Sequence, residues 1–278
     1  MFHCVSICLA AVSLLALAAA SPVAAPAIIA HRGASFDAPE NTIASFQLAW
    51  KQNADGIEGD YYLTSDGRIV CSHDPTTKRC GDRSLEIAKS TFDELRQVDV
   101  GAKKGDAWKD ARIPSIEEVL ATVPQGKKVY LEVKDIKVVP ALKPAIARSS
   151  LRPEQIIVIS FDRKAVAAAK ESLEKVKAYW LVSPKKAPLT GQLTPGAEEI
   201  VSVLKEIRAD GVDCSGDDAI DAAFVKKIRD AGYEFHVWTV DDPDKAKRFA
   251  GLGVNSITTN RPGWLREQTA GEAATKAE

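Results

Sequence analysis

The sequence predicts an α/β chain: a TIM-type (β/α)8 barrel with a small insertion after the second strand's hairpin. Three observations predict it. Short apolar runs alternate with amphipathic stretches, and repeated strand–helix units build a parallel sheet. The runs centre near Ile29, Ile57, Val129, Ile157, Ala178, Val212, Val237 and Ile257, and eight such units in about 250 residues fit a closed barrel. Charged and polar residues gather where these runs end, which is the face that carries the site in such barrels. A doubly wound open sheet is the rival reading, because periodicity alone does not distinguish closure.

The elements follow in order. The leader, MFHCVSICLAAVSLLALAAASPVAAPA, has an uncharged core from Val5 to Ala20 that is short and Ala-rich for a spanning helix. It ends in small residues of the kind a signal peptidase accepts, so residues 1–25 read as a signal peptide cut near Ala20 or Ala25. No Lys or Arg precedes the apolar core, and an uncleaved membrane anchor is the alternative. Export predicts a periplasmic or secreted protein. No comparable apolar run follows, so the mature form should have no stable membrane span. The barrel domain is read over residues 26–268 and a flexible tail over residues 269–278.

AIIAHRG reads as the first strand, and NTIASFQLAWKQ as a helix capped near Glu40 or Asn41. GIEGDYYLT and RIVCSHD flank the turn SDG and read as a hairpin. An irregular polar insertion runs from Pro75 to Ala111, with a helix around STFDELRQ, and PSIEEVLATV starts regular structure again. Then come KKVYLEVK, a helix interrupted at Pro144, IIVISFD, RKAVAAAKESLEK, KAYWLVS and GAEEIVSVLKEIRA. GVDCSG, DAAFVKKIRDAG, EFHVWTVD, DPDKAKRFAGLG, VNSITT and RPGWLREQ complete the alternation.

Composition excludes some partners. Lys plus Arg number 37 and Asp plus Glu 38, a net charge of −1, so no excess of positive charge calls for nucleic acid or an anionic membrane. Of five cysteines, Cys4 and Cys8 lie in the leader; Cys71 and Cys80 either pair in an oxidising compartment or, with Cys214, stay as thiols.

The strand ends carry the chemistry. Glu58 and Asp60 are two apart on one strand, so both carboxylates face the same side and repel unless a cation joins them. With Glu132 they make an oxygen-rich site suited to a hard divalent ion, Ca²⁺ or Mg²⁺. His31 and His73 suit general acid and base work near neutral pH, and Arg32 and Lys134 supply donors for an anion. Together these describe a phosphate ester site. His236 reads as a structural histidine inside an apolar strand. Trp238 either fills the barrel mouth or offers an apolar face to the organic part of a substrate, Phe161 is equally a wall or a surface residue, and Tyr61, Tyr62 and Asp213 carry no assignment.

HRGASFDAPENTIASFQLAW, GIEGDYYLTSDGRIVCSHD, YLEVK, SFD, and VWTVDD followed by GVNSITTNRP together resemble the glycerophosphodiester phosphodiesterase family. The resemblance spans Ile28 to Leu265. It implies a TIM-type barrel and metal-dependent hydrolysis of a small glycerophosphodiester substrate to glycerol 3-phosphate and an alcohol. It implies that His31 and His73 are the acid/base pair with Arg32 beside them. It further implies that Glu58, Asp60 and Glu132 are metal ligands and that Arg32 and Lys134 contact phosphate. Alternatives are a lysophospholipase D or sphingomyelinase D-type enzyme, and a catalytically silent phosphodiester-binding barrel. Two features depart from the family. Gly59 stands where an apolar residue is usual, which predicts lost packing and a bulge, and the insertion is short.

Overall fold

The computed structural model describes residues 25–188 and 191–270; the expected signal peptide before Ala25, Cys4, Cys8 and the tail from Gly271 lie outside the described residues. All eight expected strands form: β1 (Ala27–Ala30), β2 (Gly56–Leu63), β4 (Lys128–Val133), β5 (Ile156–Ser160), β6 (Lys177–Val182), β9 (Gly211–Ser215), β10 (Glu234–Trp238) and β11 (Ser256–Thr259). They pair in parallel in that order, and β1 pairs with both β11 (Ile28 with Ile257) and β2 (Ala30 with Ile57). The sheet therefore closes into a barrel, and the open-sheet rival is excluded.

Helices α1 (Ile43–Lys51), α2 (Phe92–Arg96), α3 (Ile116–Ala121), α4 (Val139–Arg148), α5 (Arg163–Ser172), α6 (Ala197–Glu206), α7 (Ala222–Asp230), α8 (Pro243–Gly251) and α9 (Pro262–Ala270) follow. Strand alternation divides the core. Ile156 and Val158 face outward toward the helices, while Ile157 and Ile159 fill the lumen with Tyr130, Tyr179 and Leu181. Each fully buried aliphatic side chain is worth about 1.5–3 kcal/mol, so the extensive outer layer supplies most of the stability. The hairpin partner β3 (Ile69–Cys71) pairs antiparallel to β2, and the insertion packs its own small core of Val70, Ile87, Leu95, Val98 and Ile113 against it. A short antiparallel pair, β7 (Lys185–Lys186) with β8 (Leu193–Thr194), precedes α6 and was not predicted, because its residues are mostly polar and exposed.

Several expectations change. The cap of α1 is Thr42, which forms a capping box with Ser45, rather than Glu40 or Asn41. Helix α4 runs through Pro144 without interruption; the carbonyl that Pro144 leaves without a partner belongs to Pro140, a solvent-exposed residue. Strand β2 has no bulge, because its register with β4 is continuous from Gly56–Lys128 to Tyr61–Val133. A Cβ on Gly59 would lie 3.0 Å from Cys71 Sγ and 3.2 Å from Phe46 Cζ and Tyr61 OH, so neighbouring groups already fill that space. Helix α9 includes Thr269 and Ala270, two residues of the expected tail, and Thr269 Oγ1 donates to Leu265 O at 2.9 Å. Cys71, Cys80 and Cys214 are free thiols, and Cys71 Sγ donates to Asn41 Oδ1 at 3.1 Å. Among the described residues no helix is long and apolar enough to cross a membrane.

Candidate active site

The predicted residues converge at the C-terminal mouth of the barrel. A cavity of about 170 Å³ is lined by His31, Arg32, Glu58, His73, Glu132, Lys134 and Trp238, with Phe161, Ile159, Leu181, Thr258 and Asp213 completing its walls. A larger open groove beside β8, α6 and α7 holds no comparable cluster; its Glu198 and Lys227 pair with each other at 2.8 Å.

Strand β1 ends at Ala30, so His31 and Arg32 stand just past it rather than on it. His31 N donates to Thr259 O at 2.8 Å, and its ring Nδ1 lies 2.8 Å from Asn260 Oδ1. Asn260 Nδ2 donates to Asp241 Oδ2 at 2.7 Å, which turns the amide oxygen toward the ring. An acceptor at Nδ1 places the neutral ring's proton there and leaves Nε2 with the free lone pair. Burial first, then the Arg32 charge, lowers His31 to about 4 despite Asn260, so the expected near-neutral titration is corrected and the ring is neutral at pH 7.

Arg32 adopts φ +57, a left-handed conformation unusual for a long side chain. That turn aims its backbone N–H at Glu58 Oε2, 2.9 Å away. Gly33 follows at φ +82, and a Cβ there would collide with Ser45, so glycine is required for this close approach. The Arg32 guanidinium lies 3.0 Å from Glu40 Oε1 and 3.3 Å from Asp60 Oδ2.

One oxygen each from Glu58, Asp60 and Glu132 lies within 4.8 Å of the others, and all three residues are buried. Asn41 sits at φ +58 and donates from Nδ2 to Asp60 Oδ2 at 2.7 Å, so its role is to hold a carboxylate rather than to cap a helix. Lys134 Nζ lies 3.1 Å from Asp60 Oδ1 and 2.7 Å from Glu132 Oε1. Burial works against the Asp60 anion, but Lys134 and Arg32 outweigh it and hold Asp60 at about 2. Burial, then the Asp60 charge, pushes Glu132 up to about 7; burial, then Asp60 and Glu132, pushes Glu58 well above the usual range. Glu58 Oε1 is buried with no hydrogen-bond partner. An orphaned carboxylate oxygen inside a hard-oxygen triad fits a divalent cation such as Ca²⁺ or Mg²⁺.

His73 lies past β3 and faces the same cavity. Its Nδ1 is 2.7 Å from Asp74 Oδ1, leaving Nε2 free. Arg79 from the insertion donates to Asp74 Oδ2 and bidentately to Glu40, each at 2.7 Å. A continuous chain of hydrogen bonds and ion pairs thus runs from His73 through Asp74, Arg79 and Glu40 to Arg32. Opposite, Trp238 meets Phe161 edge-to-face with centroids 5.5 Å apart. His236 is elsewhere, stacked on Tyr179 at 4.2 Å with Nδ1 2.7 Å from Ser256 Oγ, as a structural histidine should be. Tyr61 is buried in the outer core.

Glu40, Asn41, Asp74, Arg79, Asp241 and Asn260 had no site role in the sequence reading. Most lie inside the motifs quoted above, and the signal was an uncommon polar residue beside an already suspected one.

A closed parallel barrel with its polar cluster at the carboxyl ends of the strands defines a (β/α)8 enzyme. The chain belongs to the glycerophosphoryl diester phosphodiesterase family, a family of phosphoric diester hydrolases, whose pattern matches residues 31–264. It is 29% identical to a glycerophosphodiester phosphodiesterase of Caldanaerobacter subterraneus, covering 84% of this chain and 94% of that protein. It is 27% identical to human glycerophosphodiester phosphodiesterase 1, covering 83% of this chain and 76% of that protein. Its fold superposes with TM-score 0.79 and 25% identity on an Oleispira antarctica phosphodiesterase solved in complex with the product sn-glycerol-3-phosphate, covering 88% of this chain and 97% of that one.

Proposed function

We propose that the chain hydrolyses glycerophosphodiesters at the barrel mouth, releasing glycerol 3-phosphate and an alcohol, by histidine acid–base catalysis with a bound divalent cation. The observation that carries the reading is the convergence of His31, His73, Arg32, Lys134, Glu58 and Glu132 around one cavity, with Asp60 clustered against the two glutamates. Family membership and the product-bound relative support the substrate class. The leader supports export.

Glu58, Asp60 and Glu132 would hold the cation, which when bound neutralises charge on the non-bridging phosphate oxygens. Arg32 and Lys134 add fixed positive charge beside it and orient the phosphate. His31, neutral with Nε2 free, takes the proton of the attacking hydroxyl, either water, which gives glycerol 3-phosphate directly, or the substrate's own glycerol 2-hydroxyl, which expels the alcohol and leaves a cyclic phosphate that a water then opens to glycerol 3-phosphate. Asn260 fixes the tautomer that makes this possible. His73 delivers a proton from Nε2 to the leaving oxygen, and Asp74 fixes its ring. Trp238 and Phe161 give the organic part of the substrate an apolar wall.

The direct test supplies glycerophosphocholine and lysophosphatidylcholine in parallel and identifies products by phosphorus NMR. Glycerol 3-phosphate from the first substrate supports the reading. Turnover of lysophosphatidylcholine alone would point to the lysophospholipase D alternative.

A further inference from the structure

Asp213 stands apart from the machinery described above. It lies on β9, with its neighbours Val212 and Cys214 facing the outer core, so strand alternation turns it into the lumen. There it lines the cavity beside Glu132, yet only 1% of its surface is exposed. Its Oδ1 has no hydrogen-bond partner. Such an atom is destabilising unless something pairs with it. Among the described residues no Arg or Lys pairs with the carboxyl group, and the charge it faces is that of Glu132. The barrel would be more stable with an apolar residue here, as at Ile159 and Leu181 on the adjoining walls.

The backbone around Asp213 is tied to the aromatic wall: Trp238 Nε1 donates to Asp213 O at 3.1 Å. Asp213 therefore forms the deep end of a compartment whose mouth is Trp238 and the half-exposed Phe161. The compartment is opposite in character to the cationic phosphate side. A quaternary ammonium would want aromatic faces on several sides, whereas here two rings meet edge-to-face at the mouth. An acyl chain would bury Asp213 with nothing to pair it. A small polyol meets both demands: its carbon skeleton covers the apolar walls and its hydroxyl pairs with the carboxyl group.

We infer that Asp213 accepts a hydrogen bond from a hydroxyl of the substrate's glycerol unit and so sets the preference of this site for a polyol. The inference rests on the proposed phosphodiesterase reading. It adds a specificity residue that touches the substrate away from the reacting phosphorus. A site built to pair a hydroxyl rejects the analogue lacking it far more strongly than an apolar pocket rejects an extra one, because the empty partner stays buried and unpaired.

The test compares the affinities of glycerol 3-phosphate and propyl phosphate, which share the phosphate and differ in the two hydroxyls. Both are titrated by calorimetry into the calcium-loaded protein and into Asp213→Val. The ratio of the two affinities should fall at least tenfold in Asp213→Val, with propyl phosphate binding as tightly as before or more so. An unchanged ratio, or equal weakening of both ligands, overturns the inference. If Asp213→Val does not fold, Asp213→Asn decides: replacing one carboxyl oxygen by an amide NH2 group removes half of the acceptor surface and should narrow the ratio at least threefold, and an unchanged ratio overturns the inference. Hydrolysis of glycerophosphocholine by the unaltered protein separates the two readings. If it proceeds while the ratio is unmoved, only the role of Asp213 falls; if it is absent and glycerol 3-phosphate does not bind, the proposed function falls with it.

Discussion

His31 Nδ1 lies 2.8 Å from Asn260 Oδ1, which ties the end of the first barrel strand to the end of the last. This contact selects the tautomer whose free nitrogen is Nε2. Asn260→Ala should lower kcat about 10–100-fold with little change in KM, because ring orientation is lost and phosphate contacts are kept. Asn260→Asp keeps an acceptor but adds charge, which favours the protonated ring. With the divalent ion saturating, the part of the acidic limb of kcat/KM that His31 sets should then move to higher pH. A pH–rate profile that does not move would contradict this role for Asn260.

The two histidines should separate by leaving group. His31→Ala and His73→Ala should each lower kcat by roughly 10²–10⁴-fold on glycerophosphocholine with the fold intact by circular dichroism. A nitrophenyl phosphodiester has a leaving oxygen that needs no proton. It should rescue His73→Ala and leave His31→Ala impaired. Equal rescue of both would remove the assignment of base to His31 and acid to His73.

Lys134 bridges two carboxylates, at 3.1 Å from Asp60 and 2.7 Å from Glu132. Breaking a buried pair by removing one partner costs about 3–5 kcal/mol. Lys134→Met should cost somewhat less, because the Lys134 side chain is not fully buried. A saturating divalent ion should restore most of that loss, since it replaces the missing positive charge, while turnover stays low for want of the phosphate contact. Denaturant unfolding with and without calcium checks both halves.

Metal and protons should compete. Glu132 titrates at about 7 in the folded chain, above its ordinary unfolded range, so the folded state holds the extra proton between. Its stabilising effect is full below about pH 4.3 and is lost as pH rises through about 7. His31, lowered to about 4, acts oppositely: its contribution is full above about 6.5 and is lost as pH falls toward 4. Above pH 6.5 the carboxylate trend therefore stands alone. The Tm of chelated protein should fall between pH 6.5 and 8, and calcium should raise Tm more at pH 8 than at pH 6.5. A calcium effect independent of pH would contradict the raised carboxyls.

The barrel was legible because each strand is an apolar run followed by polar residues, and closure brings those ends together. Glu58 and Asp60 were legible because strand alternation alone puts them on one face. Asn260 and Asp241 were not, since Asn260 meets His31 only when β11 pairs with β1, and Asp241 meets Asn260 only when β10 pairs with β11. Arg79 sits in an irregular insertion whose path no periodicity reports. The depth of His31, which lowers its titration, depends on the packing of loops around it. Asp213 is a single acidic residue in an apolar run, and only the assembled lumen distinguishes it from a surface charge.

The most direct measurement is release of glycerol 3-phosphate from glycerophosphocholine by the purified chain, followed before chelation, after exhaustive chelation and after calcium or magnesium is restored. The account predicts release that stops on chelation, returns with the divalent ion, and is severely reduced in Glu58→Gln under all three conditions. Undiminished release after chelation, with no metal found by elemental analysis, would contradict it.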